Sequence, residues 1–328
     1  MAVSMTKLTM RMVHAGIPCA RMRILIPSVA MMMVAIICCH LVSSVASFAM
    51  VPSVATSLTR WEKVSPTASP QPISLTALRL SSTSTSSAPQ TTIETLNQVK
   101  ATIVRLCDSD TKPSGDQIRD LVQELEETAE QLGIGQASSL SGLLSGEWEL
   151  LYANQDVTRS SPFFWAFRKA VPNQADQIFQ ITDAIPAPIK AVGPVNQQID
   201  WDSTTQTGRL VSRVKVATLG GLATSIMTTR ASITGMQGVD GLTLKIETTK
   251  PEQSTLVKTV FGPLGDVVNE NAPAFPSGQA LEQIQPGSST VTMRTSFCDE
   301  GLRISRNDED RDSLYIWRRR QFASYEFI

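Results

Sequence analysis

Ser145-Gly146-Glu147-Trp148-Glu149-Leu150-Leu151-Tyr152 is an alternating stretch. Trp148, Leu150 and Tyr152 fall on one side and Glu147, Glu149 and Leu151 on the other, the period of two that a strand with one buried face requires. Gly146 opens the strand. The residues before it read as helix, and those after it as a series of further strands.

Strand candidates recur at short, regular spacing: Gln177 to Thr182, Val195 to Trp201, Arg209 to Leu219, Thr224 to Thr234, Gly241 to Thr249, Thr290 to Phe297, Leu302 to Arg306 and Leu314 to Arg318. With the opening strand these make nine. Such spacing predicts a sandwich or barrel rather than alternating strand and helix units. Closing the sheet removes exposed edges, and about eight strands leave room for side chains or one small ligand. Pro251 to Ser289, with several Pro and Gly, reads as a long connection carrying a short helix around Leu256 to Val268.

Two helices are expected before the barrel. Thr92 can cap the first, which places Ile93, Leu96, Val99, Ile103 and Leu106 on one face before the turn residues Asp108 to Pro113. Ser114 with Gln117 reads as the capping box of the second. Its apolar stripe is Ile118, Leu121, Val122, Leu125 and Leu132, and Gly133 stops it. Stripes of this kind are packing faces, because an isolated amphipathic helix needs tertiary contacts.

The chain does not begin with a folded domain. Lys7, Arg11, Arg21 and Arg23 precede an apolar run from Ile24 to Val42, followed by small residues at 43–47 that signal peptidase accepts. Residues 1–47 are expected to be a signal peptide, the rival being a signal anchor. Residues 48–90, rich in Ser, Thr and Pro with Glu62 as their one acidic residue, read as a transit-peptide-like segment. Ala46-Ser47-Phe48-Ala49 resembles the signature of bipartite plastid presequences in algae with extra plastid membranes. Residues 91–328 form the mature domain, with the helical pair at 91–133 and the barrel at 145–320.

Composition restricts the chemistry. The chain has 29 basic and 30 acidic residues. Removing residues 1–47 takes four of the basic ones and none of the acidic ones, leaving net −5, so no nucleic-acid partner is expected. His14 and His40, the only histidines, lie in that leader with Cys19, Cys38 and Cys39. The mature part therefore lacks a Ser-His-Asp or Cys-His site, a disulfide framework and zinc spacing. No cofactor, no metal site and no catalytic residue are expected.

Ser160-Ser161-Pro162-Phe163-Phe164-Trp165-Ala166-Phe167-Arg168-Lys169 is the most unusual local composition. Phe163, Phe164, Trp165, Phe167, Arg168 and Lys169 are candidate ligand or membrane contacts: a lid with aromatics toward lipid and the cations at head groups. The alternative is a short helix plugging the open end of the core. Arg303 and Arg318 sit within apolar strands, where a charge must be paired or stacked on a ring. Trp148 offers the ring and Asp299 or Glu147 the carboxylate. Trp148, Asp299, Arg303, Arg306 and Arg318 are therefore structural or candidate binding residues.

Gly146-Glu147-Trp148 at the head of the first strand, with Leu314-Tyr315-Ile316-Trp317-Arg318 at the end of the last, resembles the lipocalin arrangement of a Trp under an Arg. Asp299-Glu300-Gly301-Leu302-Arg303-Ile304-Ser305-Arg306 and that last strand resemble the closing motif of the plastid lipid-associated proteins, or fibrillins. Gly146 to Tyr152 is similar to the opening motif of this family, and Gln177-Ile178-Phe179-Gln180-Ile181 to its Gln-x-x-Gln-x-Ile strand. Asn307 to Asp312 departs from the family in having no Gly in the last turn, which suggests a longer or differently shaped loop.

The resemblance implies a mainly β fold: a lipocalin-like antiparallel β-barrel of about eight to nine strands preceded by two α-helices. It also implies a non-enzymatic plastid protein at thylakoids or plastoglobules. Its partners would be an apolar lipid or isoprenoid ligand (isoprenoid, quinone, carotenoid or acyl lipid) and a plastid membrane or lipid-body surface. Two other functions stand beside it. One is a carboxylate-based enzyme on plastid lipids, for which Asp200 and Glu247 are the strand carboxylates that would have to converge inside the barrel. The other is an accessory partner of an isoprenoid-synthesising enzyme.

Overall fold

The structure is a computed structural model that describes residues 88–320 apart from 110, 112, 187 and 188. The expected signal peptide and, up to residue 87, the transit-peptide-like segment lie outside the described residues, as do 321–328.

Two helices come first, α1 (Ala88–Cys107) and α2 (Gly115–Leu132). α1 starts four residues before the expected cap, so Thr92 lies within it rather than at its head. α2 is bounded as its sequence predicts. The Ser114 side chain accepts from the Gln117 N–H at 3.2 Å, and Gly133 ends the helix in the left-handed conformation, φ 65°.

Eight antiparallel strands then close on themselves: β1 (Gly146–Ala153), β2 (Lys190–Asp202), β3 (Thr207–Thr218), β4 (Ala223–Gln237), β5 (Gly241–Glu252), β6 (Thr290–Cys298), β7 (Leu302–Asn307) and β8 (Asp310–Arg319). Each pairs with the next, and β8 returns to β1. Because consecutive strands run in opposite directions, β1 starts at one end of the ring, here called the base. The β2–β3 and β6–β7 turns are also at the base, while the β3–β4 and β7–β8 turns are at the top.

The ninth expected strand does not exist. Gln177 to Thr182 belongs to a helix, α4 (Pro172–Asp183), which comes after α3 (Pro162–Ala170) between β1 and β2. Pro172 occupies a first-turn position, and Ala175 and Phe179, four residues apart, are the side chains α4 buries. That is a helical period, and Ile181, which a strand reading would pair with Phe179, is exposed. The connection after β5 is more helical than expected, with α5 (Thr255–Phe261), α6 (Gly265–Asn271) and α7 (Ser277–Ile284).

Two apolar clusters hold these elements. The first fills the ring continuously from Leu144 and Trp148 at the base to Phe163, Phe167 and Phe179 at the top. The second lies outside the ring, where Leu96, Val99 and Ile103 of α1 and Ile118, Val122 and Leu125 of α2 cover Phe297, Leu302, Ile304, Leu314 and Ile316. β7 and β8 are thus buried on both faces, which explains the unbroken apolar run of Leu314 to Trp317 in β8. The acidic β7–β8 turn is short, with only Asp308 and Glu309 between the strands.

Candidate functional site

At the base, Trp148 is fully buried and donates its indole N–H to the Leu144 carbonyl at 3.0 Å. Two guanidiniums lie over its ring: Arg319 at 4.2 Å from the centroid and Arg303 at 5.1 Å. The expected Trp–Arg closure therefore exists, with Arg319 in the place suggested for Arg318. Alternation decides between them. Trp148 and Arg319 are register partners and share the inner face, whereas Arg318 pairs with Glu149 and faces outward.

Arg303 has no carboxylate partner. It is completely buried between Trp148 and Trp317, whose ring centre is 4.7 Å away, and donates to Gln197 Oε1 at 2.7 Å. Burial pushes its guanidinium down to about 9, still well above neutrality, so the group is charged at pH 7. Two aromatic faces and an amide oxygen compensate part of the desolvation.

The other three arginine and aspartate candidates fasten the helical pair to the barrel. Asp299 pairs with Lys100 of α1 and accepts the Gly301 and Leu302 N–H groups, which shapes the β6–β7 turn. Arg306 on β7 forks onto Glu126 of α2 at 2.7 and 3.1 Å. Arg318 on β8 reaches Asp108, just beyond α1, at 2.8 Å and Glu149 at 3.4 Å.

At the top, α3 turns its aromatics inward. Phe163 and Phe167 are fully buried, Trp165 is nearly so and stacks on Tyr315, and Phe164 meets Phe179 edge-on. Direct contact with a membrane is not open to Phe163, Trp165 or Phe167 in this arrangement; they stopper the ring. Arg168 and Lys169 are also engaged. Arg168 pairs with Asp310 at 2.7 Å and Asp176 at 3.0 Å, and Lys169 with Glu309 at 3.0 Å. The acidic β7–β8 turn, which departs from the family pattern, is what receives this cationic helix end.

Between base and top runs a polar belt. Gln197, Ser212, Thr229 and Thr249 are successive register partners on β2 to β5, and all are buried. Gln197 also donates to the Ser160 carbonyl at 3.0 Å, Thr229 accepts from Ser161 Oγ at 3.2 Å, and Thr249 meets Ser277 Oγ at 3.0 Å. The belt links the start of α3, the start of α7 and Arg303. Ile199, Leu210, Ala231 and Ile246 lie below it, and Val195, Val214 and Met227 above.

Reactive groups are scarce in this interior. Asp200 and Glu247 are both exposed and do not converge inside the ring. Among the described residues no Asp or Glu is buried, and no cluster of His, Cys, Asp and Glu could hold a metal. Burial raises the Cys298 thiol to about 11; burial, followed by the Asp108 charge, does the same at Cys107. Neither is a thiolate at neutral pH. Tyr315, raised by burial to about 12, is a neutral donor to the Arg159 carbonyl at 2.9 Å.

Arg319, Trp317 and Gln197 complete the base without having been singled out in the sequence. The first two were detectable in principle, because Trp148 and the β8 alternation place odd-numbered residues of that strand inside. Gln197 carried no such signal.

The PAP_fibrillin family model matches residues 91–316, which takes in all but the first turn of α1, the whole of α2 and all but the end of β8. The chain belongs to the PAP/fibrillin family. Comparison with curated proteins and with solved structures finds no match. Membership in PAP/fibrillin supports a plastid-associated protein connected with plastid lipid structures. No described helix is long and apolar enough to cross a membrane.

Proposed function

We propose that this PAP/fibrillin protein is a non-enzymatic binder and coat of apolar plastid lipids, an isoprenoid, quinone, carotenoid or acyl lipid at thylakoids or plastoglobules, using its ring as a lipocalin-like container. One observation carries the reading: an apolar interior without a buried carboxylate is stoppered at one end by an aromatic helix rather than by the sheet itself.

That stopper is held by ion pairs and by apolar burial. The ion pairs of Arg168 and Lys169 are partly exposed and cost about 0–1 kcal/mol each to break. Burial of Phe163, Trp165 and Phe167 contributes more, about 1.5–3 kcal/mol for each side chain moved into water. Opening in water is therefore unfavourable, and opening against an apolar ligand is not, because the rings exchange one apolar neighbour for another. Ligand entry and helix displacement are coupled by this difference alone. In the opened state the aromatics line the ligand, and Arg168 and Lys169 become available to head groups.

Titrating the full chain with a short-chain benzoquinone tests the reading through tryptophan quenching. A saturable, single-site curve is expected. Linear, unsaturable quenching would count against an interior lipid site.

A further inference from the structure

Five large apolar side chains that the fold leaves exposed fall within nine consecutive positions: Val260, Phe261, Leu264, Val267 and Val268. They belong to the hairpin made by α5 and α6, which leaves the barrel after β5 and so stands at the top, the end that α3 stoppers. Leu222, 84 % exposed, sits beside it in the β3–β4 turn, where its carbonyl lies 3.5 Å from the Thr255 hydroxyl at the start of α5. Elsewhere on the described surface, exposed apolar residues do not occur at this density, and single ones need no explanation.

The hairpin is a built structure and not a loose loop. Asn269 clasps its base, donating to the Ser254 carbonyl at 3.1 Å and accepting the Ser254 N–H at 3.2 Å. Lys250 donates to the Glu270 carbonyl at 2.9 Å. Gly265 lets α6 cross α5 closely: a Cβ there would lie 2.5 Å from Lys258 Cα.

We infer that this hairpin is a lipid-surface anchor that dips its apolar tip into the acyl boundary of an electrically neutral lipid surface. The inference rests on the lipid-associated reading above and names the element that carries it. The order of chemistry along the hairpin selects a lipid surface over a second protein. Apolar side chains are exposed along the hairpin, and a polar groove of about 730 Å³ lies between hairpin and barrel wall. Lys215, Lys250, Glu252, Lys258, Asp266 and Glu270 are among the residues that line the groove. Acyl-facing tip followed by a hydrated, charged layer is the profile of a bilayer interface. Equal numbers of Lys and acidic residues in that layer, with Lys258 paired to Asp266 at 2.7 Å, give no attraction to an anionic surface, hence the neutral one. Docked this way, the top of the barrel and its stopper helix face the lipid from which a ligand would enter.

The test is amide hydrogen exchange on the full chain with phosphatidylcholine vesicles, with and without phosphatidylglycerol, beside vesicle flotation. Exchange is read segment by segment, so the apolar run at 24–42 does not obscure it. Exchange across 255–271 should slow equally on both vesicle types. In Phe261→Ser/Leu264→Ser that protection should fall by about tenfold or more, given the apolar area removed, while the melting temperature stays unchanged. Flotation with no slowing at 255–271 would overturn the anchor. Slowing only with phosphatidylglycerol would overturn the neutral surface. A wild-type dimer that the double variant dissociates, with no lipid-dependent slowing, would make the tip a contact between copies instead. Absence of flotation by the wild-type chain would remove the lipid-associated reading itself and this inference with it.

Discussion

Trp148 and Arg319 are cross-strand partners on β1 and β8, and the Arg319 guanidinium lies 4.2 Å from the centre of the Trp148 ring. Residues from the two ends of the domain thereby close the base of the ring. Arg319 also donates to the Ser145 carbonyl at 2.7 Å and to the Glu300 carbonyl at 2.7 Å, so one side chain gathers the start of β1, the β6–β7 turn and β8. Trp148→Ala should cost about 3–5 kcal/mol, the usual range for a fully buried Trp. Arg319→Ala and Trp148→Ala should be non-additive in a double-mutant cycle by about 0.5 kcal/mol or more. Arg318→Ala, on the other face, should cost about 1 kcal/mol or less. Urea unfolding of the four variants decides the matter; equal costs at 318 and 319 would contradict the closure.

Arg303, like Arg319, has no carboxylate partner, but where Arg319 donates to backbone carbonyls at the edge of the ring, Arg303 is completely buried between two indoles and donates to the Gln197 amide oxygen. Arg303→Met, which keeps the volume and removes the charge, should be far better tolerated than Arg303→Ala, which leaves a cavity between two indoles. Urea midpoints should place Arg303→Met within about 1.5 kcal/mol of the native protein and Arg303→Ala at least about 2 kcal/mol below it.

Phe163→Ser and Phe167→Ser should each destabilise the fold by about 3 kcal/mol or more, since both rings are fully buried and a hydroxyl replaces them. Phe261→Ser should change stability by less than about 0.5 kcal/mol. Thermal melts separate a core helix from an exposed tip directly.

Stability should depend on pH in the acid range and little near neutrality. Asp156 is partly buried, which by itself would raise its carboxyl, but hydrogen bonds from the Thr158 side chain and N–H and from Lys190 outweigh burial and hold it below the ordinary aspartate value. A carboxyl depressed in the folded state adds stability that is complete above its unfolded pKa, about 4, and is lost as pH falls through the lower folded value. With no histidine among the described residues, the melting temperature should be nearly flat from about pH 6 to 8 and fall below about pH 4. Asp156→Asn should flatten part of the acid decline.

The parts of the fold legible in the sequence are those where one residue pattern had one solution. α2 carries its own start and stop in Ser114 and Gly133, and β1 shows its buried Trp148, but a register shift between Leu150 and Tyr152 sends Tyr152 to the outer cluster rather than to the Trp148 side that strict alternation predicts. Gln177 to Thr182 misled because a short run with Ile178, Phe179 and Ile181 fits a strand as well as a helix, and only Pro172 and the Ala175–Phe179 spacing break the tie. The cationic end of α3 was readable as a head-group contact only while its acidic receiver, about 140 residues later, was unplaced. Arg303 posed the reverse problem: its need for a partner was evident, but a neutral Gln197 opposite it could be supplied only by the register of β1 and β2. Likewise the exposed valines of the α5–α6 hairpin look like core residues until the barrel is closed without them.

If displacement of the α3 stopper admits an apolar ligand, locking the helix in place must abolish uptake. Ser161 and Thr229 side chains meet at 3.2 Å, one on the helix cap and one on the barrel wall. In a Ser161→Cys/Thr229→Cys variant, oxidation joins helix and wall, and uptake of the short-chain benzoquinone is measured before and after reduction. The oxidised protein should take up no ligand, and reduction should restore saturable binding. Equal uptake by the locked and unlocked protein would contradict it.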